Sequence, residues 1–158
     1  MDSSIKKIFN HLRTDSDEKI TWSIHLDVFI LEVIPVENSK LAWVVGSEEK
    51  VFLVHRETGS VVEKFENLAE FIFTAVIHPR SNKLYLATSS GIFALSTRGA
   101  VDVLIEEQDW FEHLAISDDG KVLFSAKGRG LYIFSLSEKN CELISQDQSF
   151  SSTISDIS

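Results

Sequence analysis

The sequence predicts an all-β fold with about three four-stranded antiparallel sheets, and three observations support that prediction. The same order of apolar runs and polar turns returns with a period of about 40 residues, which is typical of repeat proteins. Lys40, Lys83 and Lys121 begin equivalent runs in successive repeats. The runs are short and rich in Val, Ile, Leu and Phe, and no long helical pattern separates them.

Each repeat contains four predicted strands. They are 29–34, 40–46, 50–55 and 61–65 in the first repeat, 73–78, 83–89, 91–96 and 100–105 in the second, and 111–117, 121–127, 130–136 and 141–144 in the third. Turn-forming residues such as Asp118-Asp119-Gly120 separate the strands. Neighbouring residues of the second strands, such as Tyr85 and Leu86, are both apolar, so each sheet is expected to be covered on both faces.

The two ends of the chain differ from the repeats. Residues 1–19 are predicted to form a short amphipathic helix over Ser4–Leu12 and then an acidic linker, because apolar residues recur there at helical spacing. Residues Ile20–Leu26 alternate apolar and polar side chains, which predicts a half-exposed strand. The repeat region therefore extends over 20–158. Its units are 28–66, 71–106 and 110–146, with the start of a further unit at 153–158.

Composition limits the classes of function. The chain has 158 residues and a formal charge of −9, so neither nucleic acid nor a membrane surface is an expected partner. Cys141 is the single cysteine, which excludes an intrachain disulfide, and no Cys/His cluster has zinc spacing. The first residues lack the apolar core of a signal peptide. An intracellular protein, cytoplasmic or nuclear, is expected.

One segment carries a family resemblance. Residues 110–126, which read Trp-Phe-Glu-His-Leu-Ala-Ile-Ser-Asp-Asp-Gly-Lys-Val-Leu-Phe-Ser-Ala, resemble the first half of a WD40 repeat. In that family an apolar strand leads through a Ser-Pro-Asp-Gly-Lys turn into a second strand, and Asp118 stands here in the place of the proline. The resemblance implies that the sheets are blades of a partial β-propeller, with strands of flanking blades at the ends. Closed propellers of the family usually have seven blades, so a fragment or short isoform with self-associating blade edges is expected.

Other positions depart from the WD40 pattern. The Trp-Asp pair that usually closes the third strand is replaced by Val54-His55, Leu95-Ser96 and Phe134-Ser135. Residues 51–62 also look like the repeats of quinoprotein-like and YVTN-type propellers, some of which are enzymes. Both resemblances imply the same architecture. A propeller enzyme of the quinoprotein or lactonase type is therefore the alternative function.

No residue is predicted to be catalytic, to bind a cofactor or to hold a metal ion. The five histidines are not at metal-ligand spacing. Asp118 and Asp119 lie in a turn without further ligands, and no base can be identified for Ser90. These residues are interpreted as structural.

Partner binding has better support. In WD40 propellers, the loops that join the outer strand to the next inner strand, and the second strand to the third, lie on one face that commonly holds the ligand. By position, the resemblance implies these candidate partner-binding residues: Asp27, Glu48, Glu49, Glu70, Phe71, Asp109, Trp110, Lys127 and Arg129. Trp and Arg are enriched at interaction hot spots, and the acidic members favour a basic partner segment. The alternative for Trp110 is packing at the entrance of a blade.

The expected function is therefore a non-enzymatic protein–protein interaction scaffold within a larger intracellular assembly. Besides the enzyme alternative, a truncated isoform could act through its two terminal segments, by docking or phosphorylation. The sequence does not identify the partner.

Overall fold

The computed structural model describes residues 22–106, 110–137 and 141–148. The strands in these ranges are β1 Ile30–Pro35, β2 Leu41–Gly46, β3 Val51–His55, β4 Val61–Phe65, β5 Ile72–Ile77, β6 Leu84–Thr88, β7 Gly91–Leu95, β8 Val101–Glu106, β9 His113–Ile116, β10 Val122–Lys127, β11 Gly130–Leu136 and β12 Cys141–Asp147. No helix occurs among the described residues, and accordingly none that could cross a membrane.

The strands form three sheets, each made of four consecutive strands. Sheet 1 contains β1–β4, sheet 2 contains β5–β8 and sheet 3 contains β9–β12, and the strands of each sheet are neighbours in the order of the chain. All pairs are antiparallel, as short connections between successive strands require. The prediction of three four-stranded antiparallel sheets is confirmed.

The sheets are stacked, with sheet 2 between the other two. Trp43 and Leu53 of sheet 1 share one apolar cluster with Leu86 of sheet 2. The next residue along β6, Tyr85, belongs to a second cluster with Leu123 of sheet 3. Because successive side chains of a strand point to opposite faces, β6 contributes to both clusters. The expectation that both faces of a second strand are buried is confirmed for β6.

The two outer faces of the stack differ. The outer face of sheet 1 carries a cluster that includes Val44 and Phe52, against which Leu26 and Val28 pack. Trp22 anchors this covering segment, because its Nε1–H donates a hydrogen bond of 2.8 Å to the carbonyl oxygen of Arg56. On the outer face of sheet 3, the register places Phe124 beside Ala115 and Ile133. These three side chains remain partly exposed.

The prediction of a strand over Ile20–Leu26 is wrong for residues 22–26, which have no strand conformation. Alternation of apolar and polar residues gives a segment two faces, but a strand also needs a neighbour for its backbone hydrogen bonds. Among the described residues, the bond from Trp22 to Arg56 instead fixes the segment through a side chain. Residues 20 and 21, the predicted helix and linker of 1–19, and the predicted strand at 153–158 lie outside the described residues.

Strand β12 continues past Ile144, where the sequence predicts its end. It extends to Asp147 and pairs with β11 as far as Leu131. Its polar end is stabilised by that pairing and by a hydrogen bond of 3.2 Å from Gln146 Nε2 to the hydroxyl of Tyr132. Pairing with a neighbour therefore overrides the low strand propensity of these residues.

Candidate functional site

Connections of two kinds lie at the same end of the sheets and form a surface that we call the loop rim. Its described residues are 26–29, 47–50, 66–71, 89–90, 110–112 and 128–129. Backbone hydrogen bonds join neighbouring sheets at this end. The N–H of Ile72 donates to the carbonyl of Ser47 at 3.0 Å, and the N–H of Phe111 donates to that of Thr88 at 3.3 Å. The first residues of sheets 2 and 3 are thus hydrogen-bonded to the point where the second strand of the preceding sheet ends.

Three aromatic side chains form a cluster, two from the loop rim and one from the adjoining strand β5. The ring centroid of Trp110 lies 5.5 Å from that of Phe73 and 6.5 Å from that of Phe71, both in tilted arrangements. Trp110 nevertheless keeps 53 % of its surface exposed, and Phe71 keeps 40 %. The cluster therefore presents aromatic surface to solvent while its members support one another. Aromatic side chains with rigid, exposed surface are common anchors for protein partners.

The backbone of β5 explains how Phe73 joins this cluster. The register between β5 and β6 is irregular between Ile72 and Thr74, so Phe73 has no regular partner across the ladder. An extra residue at such a bulge can direct its side chain differently from the rest of the strand. The sequence pattern predicts only that Phe73 lies in a strand, because the pattern of a single sequence does not show where a bulge occurs.

The loop rim also carries exposed carboxylates. Asp27, Glu48, Glu49 and Glu70 are exposed on the loop rim, as the sequence predicts for a solvated or partner-binding face. The N–H of Phe71 donates to Ser89 Oγ at 3.1 Å, which fixes the backbone next to Glu70. Carboxylates and aromatic rings on the same surface suit lysine and arginine side chains, since both attract a cation.

The two predicted basic residues take different positions. The ammonium group of Lys127 lies 5.7 Å from the centroid of the Phe111 ring, so its charge takes part in a cation–π contact within the protein. Arg129 is exposed in the turn between β10 and β11. The N–H of Gly128 in that turn donates to Glu112 Oε2 at 3.4 Å. Asp109 lies outside the described residues.

Of the candidate residues, the structure joins Phe71 and Trp110 in direct ring contact and adds Phe73 to them. It shows Asp27, Glu48, Glu49, Glu70 and Arg129 as exposed residues of the loop rim without assigning them a ligand. In the part of the chain that the structure describes, no group of three or more His, Cys, Asp or Glu side chains is placed to hold a metal ion.

No protein-family model matches this chain, and no curated protein matches it in sequence.

Proposed function

We propose that the chain is part of a WD40-like β-propeller that acts as a non-enzymatic interaction module and binds a basic segment of a partner protein on the loop rim. The observation that carries the proposal is the exposed aromatic cluster of Phe71, Phe73 and Trp110 on a surface that also carries exposed carboxylates.

The arrangement of the sheets supports the propeller part of the proposal. Each sheet has four antiparallel strands in chain order, and consecutive sheets pack face to face through apolar clusters. A similar backbone hydrogen bond, from the start of one sheet to the residues where the second strand of the previous sheet ends, occurs at both junctions. A repeated unit with a repeated junction is what successive blades of a propeller require.

The chemistry of the loop rim supports the interaction part. Trp110 offers a large apolar surface, and its contacts with Phe71 and Phe73 limit the side-chain freedom that binding would remove. Exposed carboxylates such as Glu49 and Glu70 attract a basic segment and help to orient it. Lysine or arginine side chains can then lie over the aromatic rings.

The test is titration of the full chain with a fluorescent arginine-rich peptide and with a matched peptide in which glutamate replaces arginine. We expect saturable binding of the basic peptide alone. Trp110→Ala should weaken it by about 2 kcal/mol, the size of an interaction hot spot, or roughly thirtyfold in Kd. Glu49→Lys with Glu70→Lys should also weaken it.

Glu37→Lys with Glu57→Lys is the matched control for the charge changes, because both residues are exposed in turns at the opposite end of the sheets. Binding that falls equally in this control would show attraction to net charge and not to the loop rim. Unchanged binding in Trp110→Ala, with a native urea transition, would refute the aromatic cluster as the docking point.

A further inference from the structure

A cavity of about 620 Å³ lies between sheets 2 and 3, at the opposite end from the loop rim. Sheet 2 contributes the turn between β5 and β6, and sheet 3 contributes the turn between β9 and β10. Three cationic side chains line the cavity, namely Arg80, Lys83 and Lys121, with one carboxylate, that of Asp119. The whole chain has 24 acidic and 15 basic residues. The cavity therefore has the opposite charge balance to the chain around it.

His78 holds the two turns together at the base of this cavity. Its Nδ1 accepts hydrogen bonds from the backbone N–H groups of Arg80 at 3.1 Å and Ser81 at 3.2 Å. Its Nε2 lies 3.0 Å from the carbonyl oxygen of Gly120, so it carries the proton and donates across to sheet 3. Both ring nitrogens are thus occupied. The imidazole positions the cavity walls and is not available to a ligand.

The three cations differ in how far they are already neutralised. Lys83 Nζ forms an ion pair with Asp102 at 2.9 Å. Lys121 Nζ is 3.9 Å from Asp119, and 71 % of the Lys121 side chain is exposed. The guanidinium of Arg80 makes no hydrogen bond or ion pair with any residue in the described ranges. Arg80 has only the longer-range attraction of Asp119, which also attracts Lys121, so Arg80 and, to a lesser degree, Lys121 can still bind an anion.

The carboxylate of Asp119 is engaged in its own turn. Asp119 Oδ1 accepts from the Ser117 hydroxyl at 2.8 Å and from the Lys121 N–H at 3.0 Å. These bonds, with the Lys121 N–H as the larger contribution, hold the pKa of Asp119 below its usual range. A fixed negative charge therefore remains at the edge of the cavity. It opposes the binding of an anion without filling the cavity.

We propose that this cavity binds a phosphate monoester, with the guanidinium of Arg80 and the ammonium of Lys121 on the phosphate oxygens. A guanidinium binds two oxygens of such a group at once, which makes it the preferred side chain for phosphate. The hydroxyl of Ser81, next to Arg80, accepts from the Lys83 N–H at 3.5 Å and can donate its own proton to the anion. The volume lies within the range of small-ligand pockets and exceeds that of phosphate alone. The phosphate is therefore carried by a small molecule or by a phosphorylated side chain.

The experiment is a titration of the full ¹⁵N-labelled chain at constant ionic strength, observed at the amides of Ser81, Gly120 and Lys121. The probes are phenyl phosphate, a phosphoserine peptide and the same peptide without phosphate. Saturable shifts with both phosphorylated probes, and none with the bare peptide, are expected. The phosphorylated probe with the lower Kd shows whether a small molecule or a phosphorylated side chain carries the phosphate.

Two variants should move the affinity in opposite directions. Arg80→Ala removes the bidentate contact and should raise Kd at least about tenfold, as for a hydrogen bond to a charged group. Asp119→Asn keeps an oxygen for the turn but removes the opposing charge, so it should lower Kd severalfold. Arg98→Ala is the control, because Arg98 is exposed in the turn between β7 and β8 and does not line the cavity.

Either of two results would overturn the proposal. One is the absence of saturable shifts at the cavity amides with phenyl phosphate and with the phosphopeptide. The other is an equal loss in Arg80→Ala and Arg98→Ala, which would show general attraction of anions to this end. If Arg80→Ala does not give a native spectrum, Lys121→Ala replaces it and must meet the same criteria.

Discussion

Two glycines of sheet 3 show how differently a single residue can be constrained. Gly120 and Gly128 both have a positive φ, 72° and 57°, in turns of the same sheet. A Cβ on Gly120 would lie 2.6 Å from His78 Nε2, whereas nothing lies within 4 Å of one on Gly128. Substitution of Gly128 therefore measures the cost of the backbone conformation alone. Substitution of Gly120 adds displacement of the histidine that joins sheets 2 and 3.

We expect Gly128→Ala to lower the free energy of unfolding by about 1 kcal/mol, the cost of a left-handed alanine. Gly120→Ala should lower it by about 1–3 kcal/mol more, because the methyl group forces His78 away and weakens its bond to the Gly120 carbonyl. Urea denaturation of both variants provides the comparison. Equal losses would mean that His78 moves aside freely.

The chemistry of Cys141 is also set by its surroundings. Burial raises the pKa of its thiol from 9.0 to about 11. Only the thiolate is nucleophilic, so the reactive fraction at pH 8 is about a hundredfold smaller in the folded chain than in the unfolded one.

We expect iodoacetamide to label Cys141 in the native chain at least about a hundredfold more slowly than in the chain unfolded in urea. The native rate should rise about tenfold per pH unit towards pH 11. The rate at which iodoacetamide alkylates glutathione, measured in both solutions, corrects for the effect of urea on the reaction itself. Equal corrected rates for Cys141 in the native and the unfolded chain would contradict the prediction.

At the scale of the elements, the sequence predicts where the strands lie but not the irregularities in their pairing. Turn residues and apolar runs locate strands such as β4 and β11 at their observed limits. The bulge beside Phe73 has no such signal, since it depends on how β5 pairs with β6. Likewise, the candidate loops and Trp110 could be selected from the sequence, but the ring contacts that join Phe71, Phe73 and Trp110 arise only when two sheets meet. The sequence likewise does not indicate the basic cavity, because Arg80 and Lys121 belong to different repeats and come together only when sheets 2 and 3 pack.

The segment that covers sheet 1 gives a prediction at this scale. Trp22 donates to the Arg56 carbonyl, and its Cδ2 would lie 2.8 Å from a Cβ on Gly59, so the ring rests directly on that turn. Trp22→Ala should lower the free energy of unfolding by about 2 kcal/mol through lost packing and a lost hydrogen bond. Trp110→Ala is the matched control and should cost less than about 1 kcal/mol, because Trp110 is more exposed. Equal costs in urea denaturation would show that Trp22 does not anchor the segment.

For the molecule as a whole, the contrast between the two outer faces matters. On the outer face of sheet 1, Val44 and Phe52 are buried where Leu26 and Val28 pack against their cluster, whereas Phe124 and Ile133 on sheet 3 remain partly exposed. Apolar surface of this kind favours association between copies. We expect the sedimentation coefficient of the chain to rise with concentration, and Phe124→Ser with Ile133→Ser to reduce that rise.

The control for this change is Val62→Ser with Val103→Ser, which removes exposed apolar side chains from β4 and β8 instead. It should reduce the concentration dependence less, because Val62 and Val103 lie on the last strands of two different sheets and not on one outer face. A chain that sediments as a monomer at all concentrations, or a control pair with the same effect, would contradict a role for the outer face of sheet 3.

Within the described residues, an excess of carboxylates at one end of the strands and of cations at the other gives an electric dipole along the strand direction. The loop rim carries Glu48, Glu49 and Glu70, and the other end carries Arg80 and Lys121. Such a field acts before contact, out to roughly the 8 Å screening length of physiological salt. It turns an approaching cation towards one end and an anion towards the other. Two oppositely charged ligands would therefore arrive at separate ends and could be held at the same time.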